Sequence, residues 1–490
     1  MEDFKNSVKK VMIIFLFLFV ALISYIAYFQ TFKAPDIAAD QGNRRLWAKR
    51  NEILRGPIYD RDGNVLTQSK RETVLTQSRS YVDGDLYCHA LGYISNKYGL
   101  TGLEESYDTE LSTYSSVGTN IRSFLNDLDF DKLKQGFLSR GEEEEKIGNG
   151  IKTTLNKNVQ QAAYNALGQR KGAAVALNPK TGEVLAMVSK PTFNANDLDS
   201  VMAAANSGND KNNSLLNRAI SGKYPPGSTF KTITTASALE NMPGVLNRTF
   251  TDNGKLVFNS SYSLSNAGGA AYGSLNLKTA FAVSSNVVFG TLAGELGNDK
   301  LKSTAEDFGF NKTIPSDGFT ISQSQFPKLE SYEEGMIAQS GIGQSSIVAT
   351  PMQMALVAST IANDGVMMKP RLVNQVIDMN GNIVKNIEPE KYKTVLNSTD
   401  ALTIKDFMKN LVSSSSSMYF FNGLDAAGKT GTADHLDENG NEATPHSWFI
   451  GFAPADNPVV AVAVIVENGG FGAKAAAPVA AEIMKAAVSK

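Results

Sequence analysis

Cysteine is almost missing from this 490-residue chain: Cys88 is the only one. A lone thiol cannot close an internal disulfide, so no redox staple holds the fold. The compartment stays open on that ground, because an exported protein can avoid cysteine altogether. Histidine is nearly as scarce, at His89, His435 and His446. None accompanies a convincing G-x-S-x-G elbow, which argues against a serine–histidine triad. His435 and His446 lack the clustered partners a metal site needs, so no metal and no cofactor is expected. Both read as ordinary residues near the rim of a site, with His435 a candidate for a substrate contact. Net charge is lacking too. Lysine and arginine number 47 against 49 acidic residues, leaving −2, and nothing in that total points to nucleic acid. Charged residues at 20% and aromatics at 9% are ordinary for a globular protein.

What the chain does have begins at its start. Val11 to Phe29 carries no charged residue, and Lys5, Lys9 and Lys10 precede it. That run is about the length that spans a bilayer, and its basic flank favours a cytoplasmic N-terminus. A cleaved signal peptide would have a shorter apolar region and a small-residue cleavage site, for which Ala38-Ala39 is the only argument. The expected organisation is therefore a cytoplasmic tail (1–10), a transmembrane signal anchor (11–29), a small stalk or pedestal domain (30–150) and a catalytic domain (151–490). The catalytic domain would lie outside the cell membrane. Residues 43–50 read as a helix or stalk. Asp62-Gly63-Asn64 between apolar residues reads as a hairpin turn. Ser139 to Lys146 reads as a charged, solvated linker. The serine run Ser413 to Ser417 reads as a loop beside the site, and Ala475 to Val488 as a helix packed on a sheet.

Three short motifs follow in fixed order: Ser228-Thr229-Phe230-Lys231, Ser284-Ser285-Asn286 and Lys429-Thr430-Gly431-Thr432. They spell S-x-x-K, S-x-N and K-T-G, the parts of an acyl-transfer site whose base is lysine. Singly each is weak. About one or two S-x-x-K are expected by chance at average composition, and Ser7 to Lys10 is a second copy. S-x-N recurs at Ser207-Gly208-Asn209, and K-T-G at Lys180-Thr181-Gly182. The spare K-T-G sits between two apolar runs and reads as a hairpin turn. Order and context favour the first set. Ser228 follows Pro225-Pro226-Gly227 and opens a helical segment. Residues i and i+3 share a helix face, so Lys231 can reach the Ser228 hydroxyl. Beyond Lys429, residues 446–453 and 459–466 read as strand, turn, strand, the second β-branched enough to be a buried central strand.

The chemistry assigns roles. Ser228 is the nucleophile and Lys231, if neutral, its base. Burial or a second cation lowers a lysine pKa, and Lys429 supplies that cation. Ser284 can relay a proton to a leaving amine. Asn286 can hold Lys231 and a substrate amide. Thr430 and Thr432 offer hydroxyls on a strand whose edge can pair with a peptide. Gly431 would let that peptide approach closely. The backbone N–H groups of Ser228 and Thr432 would form an oxyanion hole.

The chain resembles class B penicillin-binding proteins, the monofunctional transpeptidases of bacterial wall synthesis. Besides the three motifs, the segment Arg55-Gly56-Pro57-Ile58-Tyr59-Asp60-Arg61-Asp62-Gly63 carries the resemblance. So do Gly92-Tyr93-Ile94, Gly102-Leu103-Glu104, Gly341-Ile342-Gly343-Gln344, Thr350 to Ala355 and Ala362 to Gly365. The middle motif is Ser-Ser-Asn where class A β-lactamases have Ser-Asp-Asn, which argues against a β-lactamase. The resemblance implies an α/β fold: an antiparallel sheet flanked by helices, plus a helical lobe, behind a single transmembrane helix and a small N-terminal domain. It implies a reduced pedestal and no appended C-terminal domain. It implies a serine D,D-transpeptidase that acts on peptidoglycan stem peptides ending in D-Ala-D-Ala, releases D-Ala from an acyl-Ser228 intermediate, and is acylated by β-lactam antibiotics. A membrane glycosyltransferase of the SEDS type is the partner it implies. A D,D-carboxypeptidase or β-lactamase would use the same motifs and send the acyl group to water. A penicillin sensor would need a signalling domain, and a non-catalytic scaffold would lack the motifs.

Overall fold

A computed structural model describes residues 2–33, 47, 50–74, 76–114, 146–260, 262–437 and 439–489. Most of the stalk at 43–50, Ala38-Ala39 and nearly all of the linker at 139–146 lie outside the described residues. Helix α1 (Glu2–Tyr28) runs on through a π turn at Phe29–Lys33. Together they include Asn6–Lys33, a stretch long and apolar enough to cross a membrane, whose residues are all exposed.

Five runs of apolar, largely β-branched or small residues form the main sheet: β1 (Gly172–Leu177), β2 (Val184–Lys190), β3 (Ala427–Ala433), β4 (His446–Ala453) and β5 (Val460–Val466). All neighbours are antiparallel, in the order β3–β4–β5–β1–β2. The apolar run at 459–466 is thus the middle strand. Every residue of β4 and β5 is buried, so both faces of the sheet are covered. Helices α6 (Pro351–Ala362) and α8 (Gly472–Val488) pack on these strands, and α8 also packs on α2 (Lys157–Leu167). Pro351 sits in the first turn of α6, where its missing N–H costs nothing, and Thr350 caps that helix by accepting from Gln353 N–H. The Lys180-Thr181-Gly182 copy is the β1–β2 turn, as expected from its flanks. Ser413 and Ser414, by contrast, end helix α7 (Ser398–Ser414), with the Ser414 hydroxyl donating to Asn410 O at 2.6 Å. The serine run does not line the active-site cavity.

The two edges of the sheet differ. At β2, Gln160 closes the ladder: Met187 N–H donates to Gln160 Oε1 (2.9 Å), and Gln160 Nε2 donates to Met187 O (3.1 Å). Asn156 N–H donates to Leu185 O and Val184 N–H to Arg371 O. A side-chain amide thereby stands in for a neighbouring strand. At β3 no further strand follows among the described residues.

A second lobe is helical. It contains α3 (Lys231–Asn241), α4 (Asn286–Asp307, broken at Gly297), α5 (Glu334–Gly341) and α7. Helix α3 packs against α4 and α7, and α4 against α5.

The N-terminal module is joined to the rest by a small sheet. Ile58–Tyr59 pairs in parallel with Gly150–Thr153, which pairs antiparallel with Val373–Ile377. The composition boundary at Gly150 therefore falls on a strand shared by both parts. Gly92 and Gly102 meet back to back, and a Cβ on Gly92 would stand 2.0 Å from Thr101 O. This contact brings Glu104 to Arg55 and Arg79. Arg55 Nε donates to Glu104 Oε2 at 2.6 Å, Arg79 Nε to Glu104 Oε1 at 2.8 Å, and Arg55 Nη1 to Asp108 at 2.6 Å. The Asp60 turn expected from Asp62-Gly63-Asn64 is present, with Asp60 Oδ1 accepting from Asp62 N–H and Asn64 N–H. The same bonds recur at Asp378 and Asp437, in D-x-N-G-N sequences that read the same way.

Candidate active site

The nucleophile segment is built on backbone contacts. Ser228 lies in a 3-10 turn, Gly227–Phe230, that runs directly into α3. Trp448 Nε1 donates to Pro225 O at 3.0 Å and so ties the preceding turn to β4. Gly227 N–H donates to Gly343 O at 2.9 Å. Gly227 has φ +54°, and a Cβ there would stand 2.6 Å from Thr432 O. A Cβ on Gly343 would stand 2.1 Å from Gly227 O. Only glycine fits either place. Below, Phe230 is fully buried, stacked on Phe326 and edge-on to Phe310.

Ser284 and Asn286 come from the start of α4. Ser285 caps this helix, its Oγ accepting from Val288 N–H at 3.0 Å and donating to Asp252 Oδ2 at 2.6 Å. Asn266 Oδ1 accepts from Asn286 N–H (2.7 Å), and Asn266 Nδ2 donates to both oxygens of Asp252. Clamped from both sides, Ser284 adopts φ +57°, a region that non-glycine residues rarely occupy and that often marks functional strain.

Two lysines converge on the Ser284 hydroxyl. Lys231 Nζ bonds to Ser284 O (2.7 Å), Asn286 Oδ1 (2.8 Å) and Ser284 Oγ (3.1 Å). Lys429 Nζ, from β3, donates to Ser284 Oγ (2.9 Å) and Thr430 O (3.2 Å). Both lysines are fully buried. Burial first, and the charge of Lys429 second, hold the Lys231 pKa well below that of a free lysine, against a smaller opposing pull from Asp252. Burial brings Lys429 down to about 7. The Lys231 contacts suit a neutral amine. Two acceptor-only oxygens take its two hydrogens, and the third partner is a hydroxyl able to donate to its lone pair. The hydroxyl of Ser228 is not among the partners of Lys231. Catalytic hydrogen bonds often tighten only once substrate is bound.

A cavity of about 670 Å³ opens beside these groups, lined by Ser228, Ser284, Asn286, Thr430 and Thr432. Gly431 does not line it. A Cβ on Gly431 would stand 2.9 Å from Thr229 Cγ2 and 3.0 Å from Pro226 O. Its missing side chain thus lets β3 press against the nucleophile segment, where the sequence suggested closeness to substrate. Asn286 spends one amide hydrogen on Ser265 O (2.8 Å) and keeps the other. His435 and His446 stack at 3.8 Å but do not line the cavity, and burial with the neighbouring His435 drives His446 down to about 4. Sequence reading missed Asp252 and Asn266, which order α4, and Tyr272, Gln339, Asp434 and Phe471, which line the cavity. The turn-forming Asp252-Asn253-Gly254 and Ser265-Asn266 stretches carried only a generic signal.

The penicillin binding protein transpeptidase domain matches residues 172–485, and the penicillin binding protein A dimerisation domain matches residues 55–129. The peptidoglycan D,D-transpeptidase PbpA of Mycolicibacterium smegmatis is 34% identical over 99% of this chain and 99% of its own. PbpA of Mycobacterium tuberculosis is 32% identical over 98% of this chain and 99% of its own. The structure of M. tuberculosis penicillin-binding protein A as a ceftriaxone acyl-enzyme complex superposes with a TM-score of 0.78 at 31% identity, covering 90% of this chain and 100% of that one. The D,D-transpeptidase domain of a peptidoglycan glycosyltransferase from Eggerthella lenta gives 0.76 at 35% identity, covering 89% and 98%.

Proposed function

The chain belongs to the penicillin-binding protein transpeptidase family, and we infer that it is a peptidoglycan D,D-transpeptidase working through acyl-Ser228. The observation that carries the residue assignment is the convergence of two buried lysines on one hydroxyl, Ser284, at the wall of a cavity that also holds Ser228.

The geometry supports a proton circuit. Ser228 Oγ attacks the penultimate D-Ala carbonyl of a stem peptide, and its proton passes to neutral Lys231. The oxyanion accepts from the N–H groups of Ser228 and Thr432. Ser284 Oγ has two lone pairs. With Lys429 on one and protonated Lys231 on the other, its own hydrogen is free to go to the leaving nitrogen. The C–N bond breaks, D-Ala departs as a neutral amine, and Lys231 returns its proton to Ser284. The acceptor amine then attacks the ester by the reverse path and restores Ser228. One amide bond is exchanged for another, without a cofactor. The charge of Lys429 and the hydroxyls of Thr430 and Thr432 suit the terminal carboxylate of the donor. A β-lactam would enter by the same attack and leave its acyl group on Ser228.

Incubation with a fluorescent penicillin and peptide mapping tests this. The adduct is expected on the peptide containing Ser228 and absent from Ser228→Ala, whereas labelling that persists there would refute the nucleophile. Supplying nascent glycan strands should yield cross-linked stems. Hydrolysis with no cross-link under any acceptor condition, or rapid turnover of penicillin, would place the chain among the carboxypeptidases or β-lactamases instead.

The apolar helix anchors the chain with residues 1–10 in the cytoplasm, 11–29 in the bilayer and residues 30–150 and 151–490 outside, which Lys5, Lys9 and Lys10 favour. An export-dependent reporter fused after Lys490 should be active, and activity only in the cytoplasm would reverse the orientation. No chain-elongating glycan chemistry is evident in the motifs, so a SEDS-type glycosyltransferase is the membrane partner we propose, testable by co-purification from detergent.

A further inference from the structure

Among the described residues, one side chain lining the catalytic cavity carries a formal charge: Asp434. It stands two positions beyond Thr432. Strand alternation puts Thr430 and Thr432 on one face, and Asp434, the first residue past the end of β3, lines the same cavity. No hydrogen bond or ion pair engages the Asp434 carboxylate among the described residues, and burial together with the nearby Glu442 raises its pKa, against a smaller pull from His435. Among the described residues the charged side chain that acts most on it is thus another acid, which leaves the carboxylate open to a cation from the substrate.

The site's own chemistry says which part of a substrate reaches Asp434. The leaving nitrogen must lie at Ser284 Oγ, the proton donor, which is tied to Lys429 at 2.9 Å. The carbonyl oxygen must lie at the Thr432 N–H. Along β3, the direction from Lys429 to Thr432 thus runs from leaving group to acyl carbon. Continuing past Thr432 follows the half of the donor that stays on Ser228. At about 3.3 Å per residue, Asp434 lies about 7 Å further on, level with the residue that precedes the attacked D-Ala. An acceptor amine enters from the opposite side, into the place D-Ala vacates.

We propose that Asp434 is a donor-side specificity residue, its carboxylate binding the cationic side chain of the stem residue immediately before the D-Ala that is attacked. This rests on the transpeptidase reading above.

The test uses the full-length protein in detergent and two peptide thioesters ending in acyl-D-Ala. They are identical except that the preceding residue is lysine in one and Nε-acetyl-lysine in the other. Thiol release without any acceptor amine gives kcat/KM for each. Wild type should favour the lysine thioester by about threefold to tenfold, and this preference should shrink with added salt. Asp434→Asn should bring the ratio to about one, and Asp434→Glu should keep it. Because each ratio is taken within one protein, a general loss of activity does not mimic the effect. A wild-type ratio of one, or a ratio that survives in Asp434→Asn, overturns the proposal. If wild type reacts with neither thioester and takes no penicillin on Ser228, it is the transpeptidase reading that fails.

Discussion

Two regions of this molecule bury cations and treat them in opposite ways. In the N-terminal module, Arg55 and Arg79 close on Glu104, which is itself fully buried, with Asp108 beside them. Burial works against the Arg55 charge, but Glu104 and Asp108 outweigh it and hold its pKa above the ordinary value. Burial likewise works against the Glu104 carboxylate, and Arg79 and Arg55 more than reverse it. In the cleft, Lys231 and Lys429 hydrogen-bond, among the described residues, only to hydroxyl and carbonyl oxygens, and both pKa values fall. A buried cation with a carboxylate partner has its charge fixed and serves as a brace. Without that partner it becomes a group that can give up its proton near neutral pH.

The strongest way to break this comparison is to make the cleft cation permanent. Lys231→Arg keeps charge and bulk but cannot deprotonate. Penicillin acylation of Ser228 should fall by about a thousandfold or more, on the scale of a lost general base together with a misplaced fork of donors, while thermal unfolding stays cooperative. Near-normal acylation would remove Lys231 from the role of base. Next in size is the brace. Glu104→Gln leaves two buried guanidinium groups short of one negative charge, and about 3–5 kcal/mol of stability should be lost in urea unfolding. Below the transition the variant should still take penicillin on Ser228. A change of under about 0.5 kcal/mol would mean the ion cluster is dispensable.

Smaller effects sharpen the contrast inside the cleft. Only neutral Lys231 can take a proton, and its neutral fraction rises with pH, so acylation should climb on an acid limb. Above about pH 7 Lys429 loses its charge, so the KM for carboxylate-bearing donors should rise there. Lys429→Met removes the like charge that helps depress Lys231. The acid limb should move to higher pH, with acylation at neutral pH down by about ten- to a hundredfold. The smallest change is Asp252→Asn. Asp252 pulls the Lys231 pKa upward, so its loss should move the acid limb to lower pH, by less than about one unit. A limb that moves the same way in both variants would contradict the assignment of that limb to Lys231.

Much of this was legible in the chain. The three motifs name seven of the groups that meet at the cleft, and the strand–turn–strand at 446–466 yields two adjacent strands, since local alternation and β-branching are enough to find a strand. The α/β fold and its family followed from the same residues. What stayed hidden depends on contacts distant in sequence. Asp252 and Asn266 are ordinary turn residues until α4 begins beside them. Asp434 has no motif of its own and gains meaning only from lining the same cavity as Thr432. Gly431 suggested a place for substrate, but the space it leaves is filled by Thr229 and Pro226, which no local pattern reveals. The serine run at 413–417 looked like a loop because serine favours turns, whereas its first two residues finish α7, where the Ser414 hydroxyl bonds back to Asn410 O.

The unequal edges of the main sheet bear on how the protein behaves in a crowded compartment. A free strand edge is an invitation to any extended chain, including a misfolded copy of the same protein. Gln160 withdraws that invitation at β2. At β3 the edge stays open, as the proposed docking of a peptide there requires. The protection is in the composition: Ala-Gly-Lys-Thr-Gly-Thr-Ala is short, rich in glycine and hydroxyls, and poor in the large apolar residues that drive strand stacking. Replacing its threonines by valine would fit the strand and would turn a substrate dock into a nucleus for aggregation.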